Sequence, residues 1–89
     1  MKTGGWSPQL PVNKDDVEVF NTALEGFVGS SLTPLTVSKQ VVNGVKYCFI
    51  AKSVPAVLDP KEKLVKVYIS AVPAGAKPKL DKIEDLVSL

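Results

Sequence analysis

The chain contains no histidine and only one cysteine, Cys48, among its 89 residues. Without histidine, neither a Ser–His nor a Cys–His nucleophile pair can form, and the commonest metal ligand is missing. One cysteine and no histidine also exclude a usual structural zinc site. A single cysteine allows no disulfide within the chain, so the fold does not depend on an oxidising compartment. These absences indicate a protein that is not an enzyme and that needs no metal or cofactor.

Glycine-rich phosphate loops and long apolar runs are missing as well. Neither the GxGxxG nor the GxxxxGKS/T pattern occurs in the chain. No segment approaches the ~20 apolar residues that are needed to span a bilayer. Residues 1–6 hold no apolar stretch of the kind found in secretory signals. We therefore expect a cytoplasmic protein that does not contact membranes.

The charges are close to balance, with 11 basic and 9 acidic side chains. Lysines lie beside acidic residues along the whole chain, which indicates a solvated surface. A nucleic-acid surface would need a denser basic cluster with interleaved aromatic residues, so we expect no nucleic-acid partner. The adjacent carboxylates Asp15 and Asp16 fall where a helix begins, and there they complement the helix dipole rather than forming a catalytic pair.

Hydrophobic residues make up 45 % of the chain, which is enough for one compact domain over residues 1–89. Residues 1–13 differ from the rest because they show no apolar periodicity. Their two glycines and two prolines are Gly4, Gly5, Pro8 and Pro11. This composition predicts an extended, mobile arm, with residues 1–12 as a flexible N-terminal trunk.

A helix is predicted over residues 14–29. Asn13 is a suitable N-cap, and Gly29 is a natural stop signal. Gly26 would lie inside the helix, at a cost of about 1 kcal/mol relative to Ala, and would allow a strand to approach closely. The apolar residues that follow the i, i+3, i+4, i+7 spacing of one stripe are Val17, Phe20, Leu24, Phe27 and Val28.

Four strands are predicted after the helix, over residues 35–42, 45–54, 64–72 and 79–88. One helix followed by four antiparallel strands indicates an α+β domain. The alternation in the last segment is imperfect, so a short helical turn is the competing interpretation there. The helix stripe is expected to pack on the apolar face of the sheet, which is formed by Val45, Tyr47, Phe49, Val65, Val67 and Ile69.

The tip of the first predicted hairpin, Gln40-Val41-Val42-Asn43-Gly44, resembles the QxVxG signature of the cystatins. The pair Gly4-Gly5 is similar to the glycine-containing trunk of that family, and residues 73–75 stand where the family has a Pro-Gly or Pro-Trp loop. The missing disulfide and the short chain resemble the stefin type. The resemblance implies a cystatin-like fold, in which a twisted antiparallel sheet of four to five strands wraps around one long N-terminal helix.

The resemblance also implies a reversible, non-covalent inhibitor of papain-like cysteine proteases of the cathepsin type. The trunk, the first hairpin tip and the second hairpin turn would form an apolar wedge that enters the active-site cleft. Gly44 has no Cβ, so its backbone could approach the protease closely. The implied protease-binding residues are Gly4, Gly5, Gln40, Val41, Val42, Asn43, Gly44, Val72, Pro73, Ala74 and Gly75.

These features have alternative interpretations. Asn43-Gly44 alone fits a type I′ turn, Trp6 could cap the core, and residues 73–75 could be only a turn. The second loop departs from the family pattern, because Ala74 is inserted and neither Trp nor His is present. This departure favours the alternative function, a non-inhibitory binding module on the same fold. The expected state is a monomer, with a domain-swapped dimer as the alternative.

Overall fold

The computed structural model describes residues 4–86, which form one helix and one antiparallel sheet of five strands. In chain order the elements are strand β1 (Leu10–Pro11), helix α1 (Lys14–Ala23), strand β2 (Ser30–Val42), strand β3 (Gly44–Pro55), strand β4 (Lys63–Ala71) and strand β5 (Lys79–Asp85). The strands lie in the sheet in this same order. The predicted α+β class is therefore confirmed. Within residues 4–86, no helix is long and apolar enough to cross a membrane.

Helix α1 begins where the sequence predicts. The Asn13 side chain accepts a hydrogen bond from the backbone N–H of Asp16 (2.8 Å), and the Asp16 carboxylate accepts one from the backbone N–H of Asn13 (3.0 Å). This reciprocal pair is a capping box, which satisfies two backbone donors at the start of the helix. The helix contacts both β2 and β5, so it crosses one face of the sheet.

The predicted end of the helix is wrong, because α1 ends at Ala23 and not at residue 29. Gly26 has a φ of 80°, a left-handed conformation that follows a helix and does not lie inside one. As a result, Phe27 and Val28 leave the predicted stripe and are exposed. The helix is therefore short, although the resemblance implied a long one.

The core lies between α1 and the sheet face that the helix covers. Phe20 is 1 % exposed, and its ring meets the ring of Phe49 edge to face, with centroids 5.0 Å apart. The inward alternation predicted for the second and third strands is confirmed for Phe49, Val65, Val67 and Ile69, which are buried. Val45 and Tyr47, which were expected on the same face, are half-buried. The buried core consists of Phe20, Val37, Phe49, Ala51, Val65, Val67 and Ile69.

Two bulges account for the irregular alternation in the outer strands. Pairing of β2 with β3 shifts between Pro34 and Thr36, so Leu35 is the extra residue and is exposed. A second shift in β5 lets Leu80 and Ile83 both pack against the core. This segment is thus a strand and not a helical turn, and residues 87–88 of its predicted range lie outside the described residues.

The N-terminal segment adds an edge to the sheet. Leu10 pairs with Val37 and Pro11 pairs with Thr36, which makes β1 the outer neighbour of β2. A proline is tolerated in an edge strand because the ladder needs no donor on the outer side. The predicted trunk includes residues 1–3, which lie outside the described part of the chain, and its remaining residues run along β2.

Candidate functional site

The first hairpin forms a short apolar tip at one end of the sheet. Strand β2 ends at Val42 and β3 begins at Gly44, which leaves Asn43 between them. Val41 is 61 % exposed, Asn43 is exposed and Val42 is half-buried. A type I′ turn needs positive φ at both central residues. That alternative is wrong, because Gly44 has a φ of 128° but Asn43 is not in the positive region.

Gly44 is required by packing within the protein. A Cβ added to it would collide with the carbonyl oxygen of Ala71 and would lie 3.1 Å from the Cα of Val72. Its φ is also one that side chains rarely adopt. The glycine that the resemblance assigns to close approach of a protease therefore has an internal reason as well, since it lets the first hairpin contact the chain that leads into the second loop.

The second loop, residues 72–78, joins β4 to β5 and contains a hydrogen-bonded turn. The peptide bond between Val72 and Pro73 is cis. The backbone N–H of Ala76 donates to the carbonyl of Pro73 (2.9 Å), and Gly75 has a φ of 86°. This combination fits a type II turn. Residues 72–75 are all exposed, so the loop presents its apolar residues to solvent.

The N-terminal arm flanks the first hairpin along the outer edge of β2. The backbone N–H of Gly4 donates to the carbonyl of Val41 (3.4 Å). The side-chain amide of Gln40 donates to the carbonyl of Gly4 (3.1 Å). Gln40, which was predicted as a contact residue, therefore also holds the arm beside the tip.

Two open grooves border the tip. One, of about 460 Å³, lies between the first hairpin and the second loop, and its lining includes Val42 and Ala74. The other, of about 570 Å³, lies between the arm and the start of α1, and its lining includes Gly5, Val41 and Asp16. The structure thus brings the predicted site residues together at one end of the sheet, with the first tip between the arm and the second loop.

Trp6 belongs to this end of the molecule, although sequence reasoning left it out of the site. It is 45 % exposed, so it is not part of the buried core. Its ring lines the groove beside the arm and a further groove, of about 320 Å³, which also includes Cys48 and Tyr68. A signal was available in the sequence, because an aromatic residue next to two glycines in an aperiodic segment has no core stripe to join.

An ion pair with a buried carboxylate joins β2 to the helix near the arm. The Lys39 ammonium lies 2.7 Å from the Asp16 carboxylate, whose side chain is 5 % exposed. Burial alone would raise the pKa of Asp16. Hydrogen bonds from Lys39 and from the backbone of Asn13, together with the Lys39 charge, outweigh burial and hold this pKa below its ordinary value. Asp16 is thus a charged structural link at neutral pH.

No group of three or more His, Cys, Asp or Glu that could hold a metal ion occurs within residues 4–86. The thiol of Cys48 is buried in β3. Burial, followed by the neighbouring Cys48 and Glu84, raises the pKa of Tyr68, so its phenol stays protonated. The hairpin end itself offers exposed apolar side chains and backbone hydrogen-bonding groups.

Comparison with protein families, with curated proteins and with solved structures found no match to this chain. The resemblance to the cystatins therefore rests on the residues themselves. These are the Gln40–Gly44 segment, the Gly4-Gly5 pair and the turn at residues 73–75, in that family's order relative to the helix.

Proposed function

We propose that this protein is a reversible, non-covalent inhibitor of papain-like cysteine proteases, with a cystatin-like fold of the stefin type. The observation that carries the proposal is the position of the QxVxG-like segment, Gln40–Gly44. It forms an exposed hairpin tip, with Gly4-Gly5 on one side and residues 72–75 on the other. In cystatins these three segments are the parts of the inhibitory wedge.

The exposed side chains at this end support a wedge that binds an apolar cleft. Trp6 is 45 % exposed, Val41 is 61 % exposed and Val72 is 41 % exposed. Removing such apolar surface from water contributes about 25 cal/mol per Å². Because the tip and the arm are already hydrogen-bonded to the sheet, little conformational entropy is lost when they dock, and this favours tight binding.

In this proposal the chain is not an enzyme and uses no cofactor. Its partner is a protease of the cathepsin type, and it acts as a cytoplasmic monomer without nucleic acid or membrane. The buried thiol of Cys48 supports a mechanism without a disulfide to the protease. Size-exclusion chromatography before and after mild heating distinguishes the monomer from a domain-swapped dimer.

The proposal is tested by titrating the purified chain against papain and against a cathepsin-type protease. We expect inhibition that is reversed by dilution, with the inhibitor intact by mass spectrometry after long incubation. Absence of inhibition at micromolar concentration, or cleavage of the chain at the rate of an ordinary substrate, would contradict the proposal.

A matched pair of valine variants tests which end of the molecule binds. Val41 at the tip and Val57 in the loop after β3 are equally exposed, at 61 % and 62 %. Val41→Asp should weaken inhibition about tenfold, because it would bury an unpaired carboxylate against the protease. Val57→Asp should leave inhibition unchanged. Substitution of Gly44 is a poor test of contact, because its packing against Ala71 makes the variant unstable.

The second candidate function is a non-inhibitory binding module, and the second loop favours it. Ala74 separates Pro73 from Gly75, and neither Trp nor His is present in the loop. If the chain inhibits no papain-like protease, and another defined protein binds it in a manner lost with Val41→Asp, this candidate replaces the first.

A further inference from the structure

Ser7 uses every polar group it has to join the arm to its surroundings. Its backbone N–H donates to the carbonyl of Lys39 (2.8 Å), and its hydroxyl accepts from the backbone N–H of Lys39 (2.9 Å). Its carbonyl accepts a hydrogen bond from the hydroxyl of Ser38, and its own hydroxyl proton goes to the carbonyl of Pro8 (3.1 Å). Ser7 therefore replaces part of the regular strand pairing with its side chain.

The arm depends on these hydrogen bonds of Ser7 because regular strand pairing stops at β1. Leu10 pairs with Val37, so an unbroken ladder would set Ser7 opposite Gln40. Ser7 bonds to Lys39 instead, which changes the register by one residue. Pro8 lies at the break and has no N–H to donate. The position of the arm beyond Pro8 is thus set by Ser7, and only then by the bonds of Gly4.

Lys39, to which Ser7 is hydrogen-bonded, is itself held by two other contacts. Lys39 is held to the buried carboxylate of Asp16 at 2.7 Å, and its ammonium lies 5.9 Å from the ring centre of Tyr47. The arm is therefore tied, through one residue of β2, to the start of α1. A residue that is hydrogen-bonded to Lys39 is therefore held in a well-defined position.

We propose that Ser7 is a positioning residue, which fixes where the arm leaves the sheet and so holds Gly4-Gly5 ready beside the first hairpin tip. This inference rests on the proposed function, since it explains how the arm is preorganised for the protease cleft. Ser7 need not touch the protease. Its loss would leave the arm to be ordered at the moment of binding, which lowers affinity.

The first experiment measures inhibition by Ser7→Ala and by Ser31→Ala, an exposed serine at the other end of β2. Ser7→Ala should weaken inhibition about fivefold to tenfold, the effect of one or two lost hydrogen bonds. Ser31→Ala should not change it, and Ser7→Thr, which keeps the hydroxyl, should restore most of it.

The same substitution in a chain that lacks residues 1–5 separates positioning from general stability. With no arm left to position, Ser7→Ala should add no further loss of inhibition. An equal loss in the full and the shortened chain would overturn the proposal, as would unchanged inhibition by Ser7→Ala in the full chain.

A second readout needs no protease, because Trp6 is the only tryptophan of the chain and adjoins Ser7. Ser7→Ala should lower the fluorescence anisotropy of Trp6 and raise its quenching by acrylamide, whereas Ser31→Ala should change neither. If these changes occur in a chain that inhibits no papain-like protease, the proposed function fails but the positioning role of Ser7 is supported. If inhibition is present but the fluorescence of Trp6 is unaffected by Ser7→Ala, the proposal that Ser7 positions the arm is wrong.

Discussion

The first hairpin and the second loop each contain a glycine with positive φ, Gly44 at 128° and Gly75 at 86°. A Cβ on Gly44 would collide with the carbonyl oxygen of Ala71, whereas a Cβ on Gly75 would meet nothing within 4 Å. The same residue type therefore serves packing in one place and turn geometry alone in the other. The comparison teaches that a glycine in a segment that resembles a binding motif can be required by the fold before any partner is present.

The two regions also differ in how they are fastened. The first hairpin is joined to the arm through Gln40 and Gly4, and its strand is joined to the helix through the ion pair of Lys39 with Asp16. The second loop is closed by its own turn. We therefore expect substitutions in or beside the first hairpin to lower the stability of the whole domain, and substitutions in the second loop to have local effects.

The largest expected effect is that of Gly44→Ala. It should lower the free energy of unfolding by about 3 kcal/mol or more, because the new methyl group overlaps backbone that cannot move aside and the φ is unfavourable for alanine. Urea denaturation at pH 7 measures this. A loss below about 1 kcal/mol would mean that the two hairpins are not tightly packed.

The ion pair of Asp16 should have the next largest effect. Asp16→Asn should cost about 2 kcal/mol at pH 7, since two hydrogen bonds to a charged, buried group are weakened. The folded-state pKa of Asp16 is lowered, so its contribution is present above the ordinary value of 3.8 and is lost as the pH falls through the folded-state pKa. Denaturation from pH 7 to pH 2 should therefore show the two curves converging in acid.

An aspartate in β5, the strand that follows the second loop, provides the control for that measurement. Asp81 is exposed, and its carboxylate accepts a hydrogen bond from the hydroxyl of Ser70 (3.1 Å). Asp81→Asn should stay within about 0.5 kcal/mol of the wild type at neutral pH, as is usual for surface positions. If it matches Asp16→Asn, the first hairpin is not the more firmly fastened region.

A pair of valines compares the two regions as contact surfaces, and this prediction rests on the proposed inhibition. Val41→Asp should weaken inhibition about tenfold, which corresponds to about 1.4 kcal/mol. Val72→Asp should weaken it only about threefold, because the second loop lacks the family's usual residues. Inhibition constants for one protease measure both, and equal losses would show that the second loop contributes as much as the first.

The smallest expected effect is that of Gly75→Ala. Its positive φ disfavours alanine by about 1 kcal/mol, and no clash adds to this cost. Urea denaturation beside Gly44→Ala gives the direct contrast. A loss as large as that of Gly44→Ala would show that the second loop is packed rather than open.

Much of the fold could be predicted because its signals are local. The cap at Asn13, the inward alternation around Phe49 and the turn at residues 73–75 each depend on residues that are close in sequence. The end of the helix was misjudged because Gly26 reads as a tolerated interior glycine until its φ is known. The exposure of Leu35 could not be predicted, because a bulge shifts the alternation without any mark in the residue pattern.

The candidate site divides in the same way. The Gln40–Gly44 segment and Gly4-Gly5 were found by their resemblance to a family motif, which needs no coordinates. The hydrogen bonds between Ser7 and Lys39 could not be found, because they join segments more than 30 residues apart in sequence. Contacts between such distant residues follow from the register of the arm on β2, which no local pattern encodes.

By itself, the sequence determined the absence of histidine chemistry, the α+β class and the position of the first hairpin tip, because composition and short-range spacing are sufficient for each. Only the tertiary structure decided why Gly44 must be glycine and how the arm is held. Both depend on backbone from separate strands coming within contact distance, and that distance is a property of the assembled sheet.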